Sequence, residues 1–316
     1  MVKIAILDDY QRVARSFADW SRIEKGNEIV VFDQPFKDEA DVVAKLTDFE
    51  VLCILRERTR FPRTVIEKLP KLRLMASTAM RNAAIDMKAA AERGIVVSGT
   101  SAGNYATAEL TIGLMLAVAR SIPLEDGNMR AGRWQTTVGM ELQGKTLGLL
   151  GLGRLGGAVA KVAAALGMNL IAWSQNLTDA RATEFGARRV EKDELFQQSD
   201  VLSVHLVLSD RSRGLVGPRE LTLMKRGAIL INTSRGPIVD EDALVKALQS
   251  GWLRGAGLDV YGIEPLPAEH PLRTCPRTVL TPHLGYVSEE TYRLFYGDTV
   301  DNIAAWLAGA PKRIMT

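Results

Sequence analysis

Residues 146–156 read TLGLLGLGRLG, an apolar run followed directly by glycines spaced as GxGxxG. The apolar run predicts a buried parallel strand, and apolar positions at Leu155, Val159 and Val162 predict a helix that opens inside the glycine motif. This strand–turn–helix context is the one that a dinucleotide-binding loop requires. It favours that interpretation over an ordinary glycine-rich turn.

Each glycine of the motif would have its own task in such a loop. Gly151 would allow the tight turn, Gly153 would let the backbone approach a pyrophosphate, and Gly156 would let the helix pack against the strand. Arg154 and Leu155 open the predicted helix, whose N-terminal amides attract an anion, and Arg154 is expected to face the pyrophosphate.

The residues after the second strand of this unit bear on the choice of dinucleotide. An acid at that place normally binds the ribose hydroxyls and is typical of an NAD site. This chain has the neutral residues Ser174, Gln175 and Asn176 there. Because none of them repels a 2′-phosphate, the sequence predicts NADPH in preference to NADH, with use of both as the alternative.

Short apolar runs alternate with amphipathic stretches on both sides of the motif, which predicts parallel sheets with helices on their faces. We expect an α/β fold of two similar units, the second inserted into the first near residue 100, and a final helix over 288–307 that returns to the first unit. Residues 104–120 form a long apolar helical pattern, followed by a helical connection over 121–143. This region belongs either to a subunit interface or to the packing of a single chain.

The composition is that of an ordinary globular protein, with 47% hydrophobic and 24% charged residues in 316. A net charge of +3 gives no argument for a nucleic-acid partner. The two cysteines, Cys53 and Cys275, exclude a disulfide framework and the usual cysteine-rich metal sites, and no metal is expected. No apolar stretch is long enough to span a bilayer and the first residues lack a signal-peptide layout, which favours a cytoplasmic protein without a membrane partner.

Polar clusters follow three predicted strands of the second unit, at the edge where open α/β sheets bind ligands. They read NTSRG at 232–236, LDVYGIEP at 258–265 and TPHLG at 281–285. Together they supply an arginine, two acids and a histidine, which are the groups needed to reduce a keto acid. An arginine can grip a carboxylate with two parallel hydrogen bonds, and a histidine can deliver a proton to a carbonyl oxygen.

The chain has three histidines, and their settings differ. His283 stands at a strand end beside the other polar clusters and is the candidate acid/base. His205 lies near the end of an apolar strand and is expected to be structural or close to the cofactor. His270 lies in the loop PAEHP and is expected to be solvated.

In this order, the motifs resemble the D-isomer-specific 2-hydroxyacid dehydrogenase family along essentially the whole chain. The similarity includes AGRW at 131–134, GLGRLG, NTSRGPIVDEDAL at 232–244, GLDVYGIEPLP at 257–267 and TPHLGY at 281–286. It implies two Rossmann-like domains with a cleft between them. Residues 1–99 and 286–316 would form the substrate domain, and residues 100–285 would form the dinucleotide-binding domain and the interface of a homodimer.

The resemblance also implies roles for particular residues. Arg235 would bind the substrate carboxylate and carbonyl, His283 would be the acid/base, Glu264 would pair with His283, and Asp259 would lie near the nicotinamide. The loop 77–86 departs from many relatives, which have glycines where this chain has Ala79 and Arg81. The full set of cofactor-binding candidates is Gly151, Gly153, Arg154, Leu155, Gly156, Ser174, Gln175, Val207, Thr233, Arg235, Asp259, His283 and Gly285. The substrate-binding candidates are Arg56, Ala79, Met80, Arg81 and Arg235.

The implied reaction is the interconversion of a 2-keto acid and a D-2-hydroxy acid by hydride transfer with NAD or NADP. A phosphoglycerate-like or a glyoxylate- or hydroxypyruvate-like substrate fits this interpretation. The main alternative is a dinucleotide-sensing binding protein of the same fold, similar to the transcriptional corepressors. A formate-type dehydrogenase is disfavoured because such enzymes resemble this chain but have glutamine in place of Glu264.

Overall fold

A computed structural model of the chain describes residues 1–103 and 105–315. Asn104, where the predicted helical pattern begins, and Thr316 lie outside the described residues. The chain divides into two compact units, one of Met1–Gly103 with Val287–Thr316 and one of Asn104–Tyr286. Each unit is built on one parallel sheet, which confirms the predicted α/β class with two parallel sheets.

The first unit contains a five-stranded sheet in the order β2-β1-β3-β4-β5. Of its three inner strands, β3 and β4 are buried along their whole length, as expected for apolar runs with helices on both faces of a sheet. The strands are β1 (Lys3–Ile6), β2 (Glu28–Val31), β3 (Val51–Ile54), β4 (Leu74–Ser77) and β5 (Val96–Ser98).

The longer helices of the first unit begin at a residue whose side chain caps them. Asp86 accepts a hydrogen bond from the amide of Ala89, and Ser288 caps the C-terminal helix through the amide of Thr291. The sequence predicts this last helix over 288–307, and the structure confirms it. The helices are α1 (Ser21–Glu24), α2 (Glu39–Leu46), α3 (Arg63–Ile66), α4 (Met87–Glu92) and, after the second unit, α12 (Glu289–Leu307).

The second unit contains a seven-stranded parallel sheet in the order β12-β11-β10-β9-β6-β7-β8. The chain runs outward from β6 to β8 and then returns to β9 on the other side of β6. Ligands of such sheets bind beyond the carboxyl ends of the strands, at the point where the strand order reverses. The strands are β6 (Thr146–Leu150), β7 (Asn169–Trp173), β8 (Arg188–Arg189), β9 (Val201–Val204), β10 (Ile229–Asn232), β11 (Gly255–Leu258) and β12 (Thr278–Leu280).

One helix of the second unit packs closely on the sheet. A Cβ added to Gly257 of β11 would lie 3.0 Å from Cβ of Leu114, so glycine is needed for this approach. The helices are α5 (Ala106–Ala119), α6 (Ile122–Arg130), α7 (Arg154–Ala165), α8 (Asp179–Thr183), α9 (Lys192–Gln198), α10 (Pro218–Leu223) and α11 (Glu241–Gln249).

Two further features concern the described residues as a whole. No single helix there is both long and apolar enough to cross a membrane, although α5 and α6 together meet the length and composition test with a bend of 62° between them. Within the same residues, no group of three or more histidine, cysteine or acidic side chains is arranged to hold a metal ion.

Candidate active site

The glycine loop lies between β6 and α7, next to the point where the strand order of the second sheet reverses. Gly151 has φ +105°, and a Cβ there would lie 2.8 Å from the carbonyl oxygen of His205. A Cβ on Gly156 would overlap the carbonyl oxygen of Gly151. Both positions therefore require glycine, one for the turn and one for the packing of the helix on the loop.

Gly153 differs from these two glycines because it faces open space. It is the exposed residue just before α7, and no atom of the described residues lies within 4 Å of the position a Cβ would take, its chain neighbours aside. Arg154 is exposed and Leu155 is half-buried beside it. An open backbone at the N-terminus of a 12-residue helix fits the pyrophosphate of a dinucleotide.

The turn after β7 is neutral, and the nearby Arg181 already has partners. Ser174 is half-buried, and Gln175 is exposed. Arg181 pairs with Glu184, and its guanidinium lies 4.5 Å from the centre of the Phe185 ring. These contacts hold Arg181 on its own helix, so a 2′-phosphate could recruit it only by breaking a solvent-exposed ion pair.

Arg235 follows β10 on a turn that Asn232 closes. The buried Asn232 donates from Nδ2 to the carbonyl oxygen of Arg235 at 3.0 Å and accepts from the amide of Ser234 at 3.0 Å. The Ser234 hydroxyl donates to the carbonyl oxygen of Leu206, which ties the turn to the neighbouring chain segment. Asn232 therefore holds the half-buried Arg235 at the carboxyl edge of the sheet.

Asp259 anchors the loop that carries His283. Its fully buried carboxylate accepts hydrogen bonds from the Thr281 hydroxyl at 2.5 Å, the Leu284 amide at 2.7 Å and the Gly285 amide at 2.8 Å. Burial raises the pKa of Asp259, and these donors act in the opposite direction. The loop they hold places His283 in the left-handed backbone region, with φ +56°.

His283 and Glu264 form a close pair. Nδ1 of His283 lies 2.5 Å from Oε2 of Glu264, and Oε1 of the same carboxylate accepts the amide of Tyr261 at 2.9 Å. The Tyr286 ring meets the imidazole edge-on, with ring centres 5.5 Å apart. A carboxylate at Nδ1 fixes the orientation of the imidazole and directs Nε2 to be the nitrogen that exchanges a proton.

Two threonines outside the predicted site residues connect these loops. On α5, Thr107 donates to the carbonyl oxygen of Gly285 at 2.7 Å, and Thr111 lies 2.7 Å from the hydroxyl of Thr233. Thr111 also donates to the carbonyl oxygen of Thr107. Their spacing of four residues in a largely apolar helix is the one signal in the sequence that could have revealed them.

The remaining histidines have different surroundings. His205 directly follows the end of β9 at Val204, and its Nε2 lies 2.8 Å from the Ser203 hydroxyl. Burial lowers the pKa of His205 to about 4, so the imidazole is neutral near pH 7. The expectation of a solvated His270 was wrong, since its side chain is 22% exposed and faces Glu241. Val207, by contrast, is 83% exposed beyond the same strand end.

The substrate candidates of the first unit lie on loops after β3 and β4. Ala79 has φ +63°, and its amide is already used in a 2.8 Å hydrogen bond to the Thr100 hydroxyl. Among the described residues, the amides of Met80 and Arg81 have no partner within the chain. Arg56 is half-buried, and its amide donates to the Thr78 hydroxyl at 2.8 Å. A ligand carboxylate could therefore be held by the amides of residues 80 and 81 but not by that of Ala79.

Comparison with known proteins identifies the class. A model of the "D-isomer specific 2-hydroxyacid dehydrogenase, NAD binding domain" family matches residues 112–285. The chain is 32% identical over 324 residues to a hydroxypyruvate reductase of Blautia hydrogenotrophica, with 99% of each chain covered. It is 38% identical over 297 residues to a D-3-phosphoglycerate dehydrogenase of Methanocaldococcus jannaschii, which covers 93% of this chain but only 55% of that longer protein.

A solved structure agrees with these relatives. The phosphoglycerate oxidoreductase of Vibrio cholerae superposes with a TM-score of 0.93 at 34% identity, covering 98% of this chain and all of the other. The chain belongs to the D-isomer specific 2-hydroxyacid dehydrogenase family. It is an oxidoreductase that interconverts 2-keto and D-2-hydroxy acids with a nicotinamide dinucleotide, and these relatives give no support to the corepressor-like alternative.

Proposed function

We propose that Arg235, Glu264 and His283 carry out this reaction on a small 2-keto acid. The observation that carries the proposal is the His283–Glu264 pair, with 2.5 Å between Nδ1 and Oε2. The loop of Glu264 packs on the turn of Arg235, since a Cβ on Gly236 would lie 2.0 Å from the carbonyl carbon of Tyr261. Reductase activity towards small 2-keto acids with NADH and NADPH tests it. Dinucleotide binding without turnover of any keto acid would contradict it.

The loop of Gly151, Gly153 and Gly156 would hold the dinucleotide, which would supply a hydride to the carbonyl carbon. His283 delivers a proton from Nε2 to the carbonyl oxygen as the C=O bond becomes a C–OH bond. Glu264 holds the imidazole in place through Nδ1 and balances its charge. Arg235 grips the substrate carboxylate with its planar guanidinium and polarises the carbonyl.

We propose that the loop after β4 favours substrates with a second anionic group. Arg81 is exposed, and among the described residues it makes no ion pair. The variant Arg81→Ala should lose roughly tenfold in kcat/KM for a phosphorylated or dicarboxylic keto acid and much less for pyruvate or glyoxylate, because only the former offer a second charge to it. Steady-state kinetics with matched mono- and dianionic keto acids measure the difference.

The control for this variant is Lys88→Ala on α4, which removes a positive charge elsewhere in the same unit. It should leave both kinds of substrate unaffected. Equal effects of Arg81→Ala on mono- and dianionic substrates would show that Arg81 does not recognise a second anionic group.

We also propose that the enzyme prefers NADPH to NADH. This preference is supported by the neutral residues 174–176, which carry no negative charge that would repel a 2′-phosphate. Ser174→Asp should shift the ratio of kcat/KM for NADPH to that for NADH by about tenfold or more towards NADH, because the new charge repels the phosphate. Kinetics with each cofactor in both proteins measure this ratio.

Thr178→Asp is a suitable control, since it places the same charge a few residues away, at the cap of α8. It should leave the ratio close to that of the unaltered protein. A native enzyme that strongly prefers NADH would overturn the proposal and would mean that other contacts replace the missing acid.

We infer that a second copy of the chain covers a group of exposed apolar side chains in the second unit. These are Ile122, Leu124, Met129, Trp134 and Val138, exposed by 53, 50, 53, 73 and 88%.

We also propose that the protein is cytoplasmic, because its two buried free cysteines fit a reducing compartment.

A further inference from the structure

The loop that carries Glu264 has little apolar packing of its own. Residues 262–265 are all exposed, and Ile263 is 68% exposed in spite of its apolar side chain. Hydrophobic contact therefore does little to hold Glu264 against His283. The position of the carboxylate must depend on polar contacts with the rest of the unit.

Glu241, in the first turn of α11, makes such contacts at both ends of this loop. Its Oε1 accepts the amide of Gly262 at 2.7 Å, two residues before Glu264. Its Oε2 lies 3.6 Å from Nε2 of His270, at the far end of the loop. The approach is close, because a Cβ added to Gly262 would lie 3.1 Å from Oε2 of Glu241.

A second group of contacts closes the loop on its far side. Arg273 donates from Nε to the carbonyl oxygen of Pro267 at 2.7 Å and from Nη2 to that of Leu266 at 2.6 Å. Tyr261, at the near side, is buried, and its hydroxyl donates to the carbonyl oxygens of Leu258 and Thr281. The exposed segment between these two anchors has Glu241 as its link to α11.

We propose that Glu241 is a positioning residue for the reaction, which acts by holding the loop of Glu264 in register with His283. The inference rests on the function proposed for Glu264 and His283. Glu241 acts on the backbone of this loop, because its carboxylate accepts the amide of Gly262. Without the Glu241 carboxylate, the loop would still be held at Tyr261 and Arg273 but would lose a hydrogen bond two residues from Glu264.

The first test compares three single variants. Glu241→Ala should lower kcat by roughly 10–100-fold with little change in the KM for the dinucleotide, because small displacements of a catalytic group have effects of this size. Glu241→Gln keeps an oxygen for the Gly262 amide and should retain most of the activity. Asp242→Ala removes an exposed carboxylate from the same turn of α11 and should behave like the unaltered protein.

The decisive test is a double-mutant cycle with Glu264→Gln. If Glu241 acts through Glu264, then adding Glu241→Ala to Glu264→Gln should cost less than about twofold in kcat, whereas independent effects would multiply. Thermal unfolding of each variant separates this result from a general loss of stability.

Each other outcome overturns the inference in a recognisable way. Suppose that Glu264→Gln lowers kcat. If Glu241→Ala then has no effect, or if the two losses multiply in the double variant, the positioning role is wrong and the proposed function stands. Equal losses for Glu241→Gln and Glu241→Ala would show that the hydrogen bond to Gly262 is not what matters. A harmless Glu264→Gln would overturn the proposed function as well.

Discussion

Replacement of His283 by glutamine is expected to lower kcat by roughly 10²–10⁴-fold, the usual contribution of a general acid. Glutamine has no group that can release a proton to the carbonyl oxygen near neutral pH. The glycine loop and the turn at Ser174 are unchanged in this variant, so its affinity for NADPH should stay near that of the unaltered protein. Steady-state kinetics and fluorescence titration with NADPH measure the two quantities separately.

The backbone at His283 makes a second variant necessary. Its φ of +56° is tolerated better by asparagine than by most other residues. His283→Asn should therefore fold at least as well as His283→Gln and show the same loss of turnover. If either variant folds, binds NADPH and turns over at near-native rates, His283 is not the proton donor.

Replacement of Arg235 by lysine is expected to lower kcat/KM by roughly 10²-fold, with a higher KM for the keto acid and a lower kcat together. Lysine keeps the charge but lacks the planar pair of donors that grips a carboxylate. It also cannot polarise the carbonyl from the same position, and loss of one such donor commonly costs about 10²–10³-fold. Kinetics at varied keto-acid concentration give both parameters.

Arg213→Lys is the matched control, since Arg213 is an exposed arginine of the same unit outside the proposed site. It should leave both parameters unchanged. Native kinetics in Arg235→Lys would show that a simple positive charge is sufficient and that two-point recognition of the carboxylate is wrong.

Much of the fold could be predicted because buried parallel strands leave a simple signal. The apolar run before the glycine motif predicts β6, and the second strand of this unit ends before Ser174 as expected, because apolar residues stop where each of these strands leaves the core. The edge strand β8 was missed because it consists of Arg188 and Arg189 and is too short and polar to leave an apolar pattern. The helix α6 was predicted only as a helical connection, because it starts directly after α5 at Ser121, with φ +53°, and exposes apolar residues.

The sequence predicts the chemical groups of the proposed site but not the contacts that position them. Its chemical groups could be selected from the sequence, because Arg235, Glu264 and His283 stand in motifs at strand ends. The groups that hold them could not, because the links from Thr107 to Gly285 and from Glu241 to Gly262 join residues far apart in the chain. Nor does an alanine at position 79 reveal a positive φ, since that conformation depends on the contact of its amide with Thr100.

The most direct test of the account is the reduction of hydroxypyruvate by the unaltered protein with NADPH, followed by chiral analysis of the product. We expect turnover that yields glycerate as the D-isomer alone and that is lost in His283→Gln. Binding of NADPH without turnover of hydroxypyruvate or any other small 2-keto acid, or formation of the L-isomer, would contradict it.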